Sequence, residues 1–349
     1  MLSVHAETAY PASAPGARVR LIEFAPFLRE CGVSLTVRST LTDAEYAKVI
    51  SPGPAGGKAR VLGSAALRLS NRHRVEDGRL FLLHRLRFLF PLPGIDPPAR
   101  LDIYDFDDAL FVGSTMDGNR NFAWLKREAE RWHTYTRRSR LVLAGNSYLA
   151  SRAMEHCQWV EVVPSCVDPS IQPVRVHEDR ETVRIGWIGS RSTVPYLSQL
   201  LPLFQTLHDG GRKFELVIVG GGDITSAPWA RTQAWTKEGE SAFLAGLDLG
   251  IMPLPDDPWT RGKCGFKLLQ YFSAGVPAVA SPVGVNREIV GTERGLLASS
   301  DQEWLDALDQ LIRDVETRRQ MGENARRFVE DEFSYQRWAP RLADLLSTL

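Results

Sequence analysis

Apolar residues along the chain fall into short dense runs separated by longer segments of mixed character. VSLTV, LFLLHRL, LDIYDF, RLVLAGN and VEVVPSCVD in the first half, and VRIGWIG, FELVIVGGG, LDLGIMPL and PAVASP in the second, are rich in branched and aromatic side chains. Gly, Pro, Asn or Asp stand beside most of them, the pattern of buried strands. Between these runs the period lengthens. In RVRLIEFAPFLRECG, Leu21, Phe24, Phe27 and Leu28 recur at helical spacing and Gly32 closes the segment. A long charged helix is expected over about 122–138, another from Ser147, and a third over VPYLSQLLPLFQTLHDGG. FKLLQYFSAG reads as a helix stopped by Gly275, with Pro277 leading the next strand. SPGPAGGKAR reads as a Gly/Pro-rich loop.

Strands that alternate with helices predict parallel sheets covered by helices on both faces. The polar, Pro-containing PSIQPVRVHEDRET at 169–182 is the best linker, and a second strand–helix series begins after it. The expectation is an α/β protein of two Rossmann-like domains, 1–172 and 173–334, whose parallel sheets face a central cleft. The last helix, about 335–349, is expected to pack back onto the first domain. A chain of 349 residues suits two domains of ordinary size. Ligands should bind at the carboxyl ends of the strands.

Composition narrows the partners. Lys+Arg and Asp+Glu both number 42, so no global field attracts nucleic acid, and none is expected as a partner. Residues 1–180 hold 24 basic and 20 acidic side chains, and 181–349 hold 18 and 22. The slightly positive first half leaves peripheral membrane contact open. Cys31, Cys157, Cys166 and Cys264 lack CxxC spacing, which signals neither a zinc site nor a disulfide framework. The first twenty residues lack the build of a secretory leader, and no apolar run reaches the roughly 18–20 residues of a membrane span. A cytoplasmic protein is expected. Its oligomeric state is not legible.

Two segments carry candidate chemistry. In PDDPWTRGKCGFKLLQYFSAG, a helix running from Lys263 would set Lys263, Lys267 and Gln270 on one face, with Leu268, Leu269 and Phe272 opposite. Two ammonium groups beside a glycine-bearing first turn, Gly262 and Gly265, suit a diphosphate over the helix N-terminus. Each charge-assisted bond there contributes about 1.5–3 kcal/mol. A solvated helix face is the plainer alternative. The other segment is YDFDDALF, with Asp105, Asp107 and Asp108 at a strand end. It fits a metal-binding DxD, a phosphatase-type nucleophilic Asp, helix capping, or a carboxylate facing a cleft. The tandem layout disfavours the first. Ala109 in place of a threonine, and Asp256–Asp257 preceding Lys263, disfavour the second. Gly16, Arg18 and Arg20 near the start are further candidates. His84 and Arg85 lie on the strand next to the acidic one, where His84 reads more readily as a packed strand residue than as a base. His133 reads as exposed, and Trp229, Trp235 and Trp259 as packing residues with stacking as the alternative.

FKLLQYFSAGVPAVASPVGVNREIV resembles the signature of nucleotide-sugar-dependent glycosyltransferases of the GT-B fold, especially the retaining family 4. VRIGWIGSRSTVPYL, LVIVGGG and GLLASSDQEWLDALDQLIRD fall where that family has its opening strand, second strand and late helix. The resemblance covers essentially 183–340 and the first half more loosely. It implies a hexosyltransferase-type enzyme that moves a sugar from a nucleotide-diphosphate sugar to a glycan or small-molecule hydroxyl, retaining configuration, with no metal or other cofactor. It implies donor contacts at Gly189, Ser190, Arg191, Lys263, Gly265, Phe266, Lys267 and Gln270, and an acceptor and diphosphate loop at Gly16 and Arg18. It places Asp107 and Asp108 where the family carries a His-Asp pair, with Asp105 beside them as a third catalytic candidate. Retention would follow from same-face attack, the departing phosphate taking the proton. The chain departs from the pattern where Gly262 and Gln270 replace two glutamates eight positions apart. Gln270 can still bond a ribose hydroxyl, and Asp256 or Asp257 is the substitute for the missing carboxylate. Only Arg191 follows the opening strand where the family has a basic pair, so Lys263 and Lys267 would supply the missing charge. A nucleotide-sugar epimerase of the same fold and a non-catalytic nucleotide-sugar-binding subunit stay open as alternatives. VGGGDITS lacks the third glycine of a dinucleotide fingerprint.

Overall fold

The computed structural model describes residues 1–51, 55–70, 79–112 and 123–349. These form two compact units, Met1–Ser165 with Trp338–Leu349, and Cys166–Arg337.

The first unit is built on six parallel strands: β1 Leu2–Thr8, β2 Val33–Ser39, β3 Leu80–His84, β4 Ile103–Phe106, β5 Leu141–Ala144 and β6 Val160–Val162. Their order is β2-β1-β3-β4-β5-β6. All five residues of β3 are buried, as a strand covered on both faces requires. Register sets Thr8 beside His84 and His84 beside Asp105, so polar residues gather at the carboxyl ends of β1, β3 and β4. The pattern of apolar runs did not predict β1. Its LSVHAET interleaves His5 and Glu7 with apolar residues, and both are buried, Glu7 on Arg87.

Three expected elements differ. RVRLIEFAPFLRECG is a wide π turn over Arg18–Ile22 followed by a separate helix, Ala25–Glu30, which Pro26 starts. Arg18 and Arg20 are buried on that first turn. Of the expected loop SPGPAGGKAR, residues 52–54 lie outside the described set, and from Ala55 the chain is helical to Ser70. Ala, Leu, Arg and Lys outweigh its three glycines. Of the expected charged helix, Phe122 lies outside the described residues. The rest is two helices, Ala123–Lys126 and Glu128–Arg138, with Arg127 between them at φ +47°.

The second unit repeats the plan with β7 Val183–Ile188, β8 Phe214–Val219, β9 Ala230–Gln233, β10 Leu249–Met252, β11 Ala278–Ala280 and β12 Gly295–Leu297. The order is β12-β11-β10-β7-β8-β9, again parallel, and the winding direction reverses between β7 and β10. Alternate residues of β8 feed two cores: Val217 and Val219 pack with Leu268 and Phe272, while Leu216 and Ile218 pack with Trp187 and Phe204. Tyr271 lies between β7 and β10, its hydroxyl accepting from the Ile188 N–H at 3.2 Å. The segment expected as a linker is tied down at its start. Arg326 donates to the carbonyls of Pro169 at 2.7 Å and Gln172 at 3.2 Å, and to that of Ser273. From Trp338 the last helix, Tyr335–Ser347, belongs to the first unit. There Leu342 and Leu346 join Arg20 and Asp105 around a cavity of about 20 Å³. Among the described residues, no helix is long and apolar enough to cross a membrane.

Candidate functional site

In the first unit the acid cluster sits where β4 ends. Asp105 is buried and accepts from His84 Nδ1 at 2.6 Å, from Arg20 Nε at 3.3 Å and from a second Arg20 nitrogen. Arg20 also donates to the Val163 carbonyl. Arg85 follows His84 in the left-handed region at φ +54°, and its backbone N–H donates to the Asp105 carbonyl at 2.8 Å. Its guanidinium donates to Asp107 through Nε and reaches Asp108 Oδ2 at 2.8 Å. Gly16 lies on that guanidinium; a Cβ there would stand 2.9 Å from Arg85 Cζ. Burial opposes ionisation of Asp107, yet Arg85 and then His84 outweigh it and hold the carboxyl far below the usual range. Asp105 is shifted the same way, Arg20 and His84 outweighing burial. Burial likewise works against the Arg85 cation, and Asp107 and Asp108 more than compensate. Arg18 is buried and pairs with Glu23 at 3.7 Å.

In the second unit the helix Phe266–Ser273 starts only after Gly265, at φ +66°. Lys263 therefore stands in the turn before the helix, not on it. A Cβ at Gly265 would meet Ile289 at 2.3 Å, so the turn needs glycine for both its dihedrals and its packing. The two ammonium groups rest on indole faces: Lys263 Nζ lies 4.8 Å from the Trp259 ring centroid and Lys267 Nζ 4.7 Å from that of Trp187. Trp187 is fully buried near the end of β7, pressed beneath Gly189, where a Cβ would come within 2.5 Å of the ring. Burial, and then the neighbouring Lys263, push Lys267 down to about 7. The lysine keeps some exposure, so the depression reflects a crowded surface pocket, not a sealed core. Ser190 and Arg191 form the exposed turn after Gly189, with Arg191 Nε 3.9 Å from a Cβ built on Gly222. Gln270 is buried on the helix, and Phe266 packs against the core. Asn286, also buried, donates to the Ser281 carbonyl at 3.1 Å, and its Oδ1 has no hydrogen-bond partner among the described residues.

Residues 182–314 match the profile of the family described as glycosyl transferases group 1. The matched stretch lies within the second unit. The whole chain shares the fold of solved glycosyltransferases. Sucrose-phosphate synthase from Thermosynechococcus elongatus superposes with a TM-score of 0.73 at 12% identity, over 100% of this chain and 99% of that one. HepE from Anabaena, in complex with UDP and glucose, gives 0.64 at 14% identity over 100% of both chains. WaaG, a glycosyltransferase involved in lipopolysaccharide biosynthesis, gives 0.63 at 13% identity over 99% and 100%. No curated protein matches at the sequence level.

Within the matched stretch, Gly189 and Lys267 meet on Trp187, and Lys263 lies near enough to depress Lys267. The two aspartates read as substitutes for the missing glutamate are engaged otherwise. Asp257 caps the short helix Pro258–Arg261, accepting from the Thr260 N–H at 2.8 Å, and exposed Asp256 pairs with Arg261 at 2.6 Å. In the first unit Gly16 meets Asp107 and Asp108 through Arg85. Sequence reading missed Trp187 as a platform, Arg85 as the clamp on two acids, and Asn286. His84, read as a packed strand residue, is fully buried and also bonded to Asp105. Of these only Arg85 left a trace in the sequence, as a cation one residue past a strand parallel to an acidic one.

Proposed function

We propose that this chain is a retaining glycosyltransferase that moves a sugar from a nucleotide-diphosphate sugar to an acceptor hydroxyl without a metal. Lys267 carries the reading: an ammonium at the first turn of a helix, in a domain of this family, driven towards neutrality by burial and a second lysine. Such a group gains its full charge when a diphosphate arrives. Lys267, Lys263 and Arg191, with the first N–H groups of Phe266–Ser273, would take the negative charge that grows on the leaving phosphate. Gln270 suits a ribose hydroxyl.

The first unit supplies Asp107. Clamped by Arg85 far below the usual carboxylate range, it is a poor base at neutral pH. Its part in this proposal is that of a fixed negative charge, able to offset positive charge that develops during transfer. The proton of the attacking hydroxyl then goes to the departing phosphate oxygen. The bond from anomeric carbon to phosphate breaks and the bond to the acceptor oxygen forms on one face, which retains configuration.

A thermal-shift series with UDP, GDP, dTDP and ADP sugars tests the donor assignment; one of them should raise the transition, and no shift with any of them sinks it. With the responding donor, Lys267→Ala should lose the shift. Asp107→Asn should keep it and lose turnover, whereas loss of binding there removes Asp107 from the transfer step. A product of inverted configuration, or activity abolished by EDTA, refutes the corresponding part of the mechanism.

A further inference from the structure

His84 has no task in the scheme above, yet its setting is built. The imidazole is fully buried at the end of β3. Asp105, ionised and held from its other side by Arg20, accepts from Nδ1 at 2.6 Å, so Nδ1 carries a proton. The opposite nitrogen, Nε2, has no hydrogen-bond partner among the described residues and lies 4.0 Å from Asp107 Oδ1. A buried nitrogen without a partner is costly unless it is used. The charged groups around the ring are Asp105 and Asp107 from the end of β4, Arg20 from the turn after β1, and Arg85, which follows β3.

We propose that His84 is a positioning residue for sugar transfer, steering Asp107 through Nε2. Asp105 and Arg20 fix the ring so that Nε2 faces Asp107 opposite Arg85, and in the imidazolium form, with a proton on each nitrogen, Nε2 is a second donor to Asp107. A closing movement of about 1 Å converts the 4.0 Å approach into a hydrogen bond. Asp107 then keeps its aim when acceptor or donor draws Arg85 away. This rests on the reading of Asp107 as part of the transfer step.

Two isosteric substitutions separate this role from simple packing. The Gln amide nitrogen falls near Nε2 of histidine, the Asn amide nitrogen near Nδ1. In the full chain, His84→Gln should keep kcat within about threefold, and His84→Asn should lower it about tenfold or more with donor Kd unchanged. Should His84→Asn be as active as wild type, or both variants equally impaired, Nε2 has no such role. A second measurement needs neither turnover nor a substituted histidine. The ¹⁵N shift of His84 Nε2 should move on Asp107→Asn, while that of Nδ1 stays. An unmoved Nε2 overturns the proposal even if no donor is ever found, and absent transfer with a moving Nε2 faults the sugar-transfer reading instead.

Discussion

The depressed lysine makes donor binding a proton-linked event. Lys267 sits at about 7 in the free protein, against 10.5 for an ordinary lysine. A diphosphate favours the ammonium and returns the group to the ordinary range or above. The sign follows: below pH 7 the site is already charged, and above it each binding event takes up a proton. If only the charged form binds, affinity should weaken roughly ninety-fold from pH 6 to pH 9, approaching tenfold per unit at the alkaline end. Uptake should climb from about one tenth of a proton at pH 6 to about one at pH 9. Titration calorimetry with the responding nucleotide sugar, in two buffers of different ionisation enthalpy, reads both quantities. The diphosphate itself does not titrate in this range, and the base N–H of a uridine, thymidine or guanosine donor begins to do so only at the alkaline end. Lys267→Arg should bind with a nearly flat pH profile, and Lys263→Ala should move the midpoint upward by removing the like charge. A wild-type affinity flat from pH 6 to 9 with no proton uptake would refute the account of how Lys267 is held.

Lys267→Met should raise the melting temperature of the ligand-free protein at pH 7 while abolishing the donor shift. A lysine depressed on folding opposes folding fully below about pH 7, and this penalty fades as pH climbs towards 10.5, so the gain should vanish near pH 10.5. Arg20→Met should cost about 3–5 kcal/mol in urea denaturation at pH 7, because it strands the buried Asp105. The deficit should shrink in acid as Asp105 takes up a proton. Gly189→Ala should push Trp187 from beneath Lys267, destabilise by about 1–3 kcal/mol and weaken donor binding, read by thermal shift and calorimetry. Asp257→Ala should cost about 1 kcal/mol through its lost cap and leave donor affinity unchanged; a loss of affinity would return it to the sugar site.

The strands that read clearly were those buried along most of their length, such as LFLLH, which is buried throughout, and VRIGWI, where only Arg184 is exposed. Polar content hid β1 and exposure hid β9 with its ARTQ; GLL of β12 also went unread, although β6 and β11 are just as short. The helix carrying Lys267 and Gln270 was legible, but its start was not. Gly265 could be read as a permissive residue within a first turn, and only its left-handed dihedral against Ile289 shows that the helix cannot reach Lys263. For the acid cluster, three carboxylates at a strand end were visible and their partners were not. Arg20 is 85 residues from Asp105, and Arg85 is 22 from Asp107. Pairings of that kind depend on strand order and on a π turn that no local pattern announces.

The first unit is discontinuous, and this sets a schedule for its birth. Leu342 and Leu346 line the space around Arg20 and Asp105, yet a ribosome makes them only after the 172 residues from Cys166 to Arg337. At about 5–20 residues per second this is a wait of roughly 9–34 s. The second unit, contiguous in the chain, can close first. Until the last helix arrives, the nascent first half holds its ion pair with one wall missing.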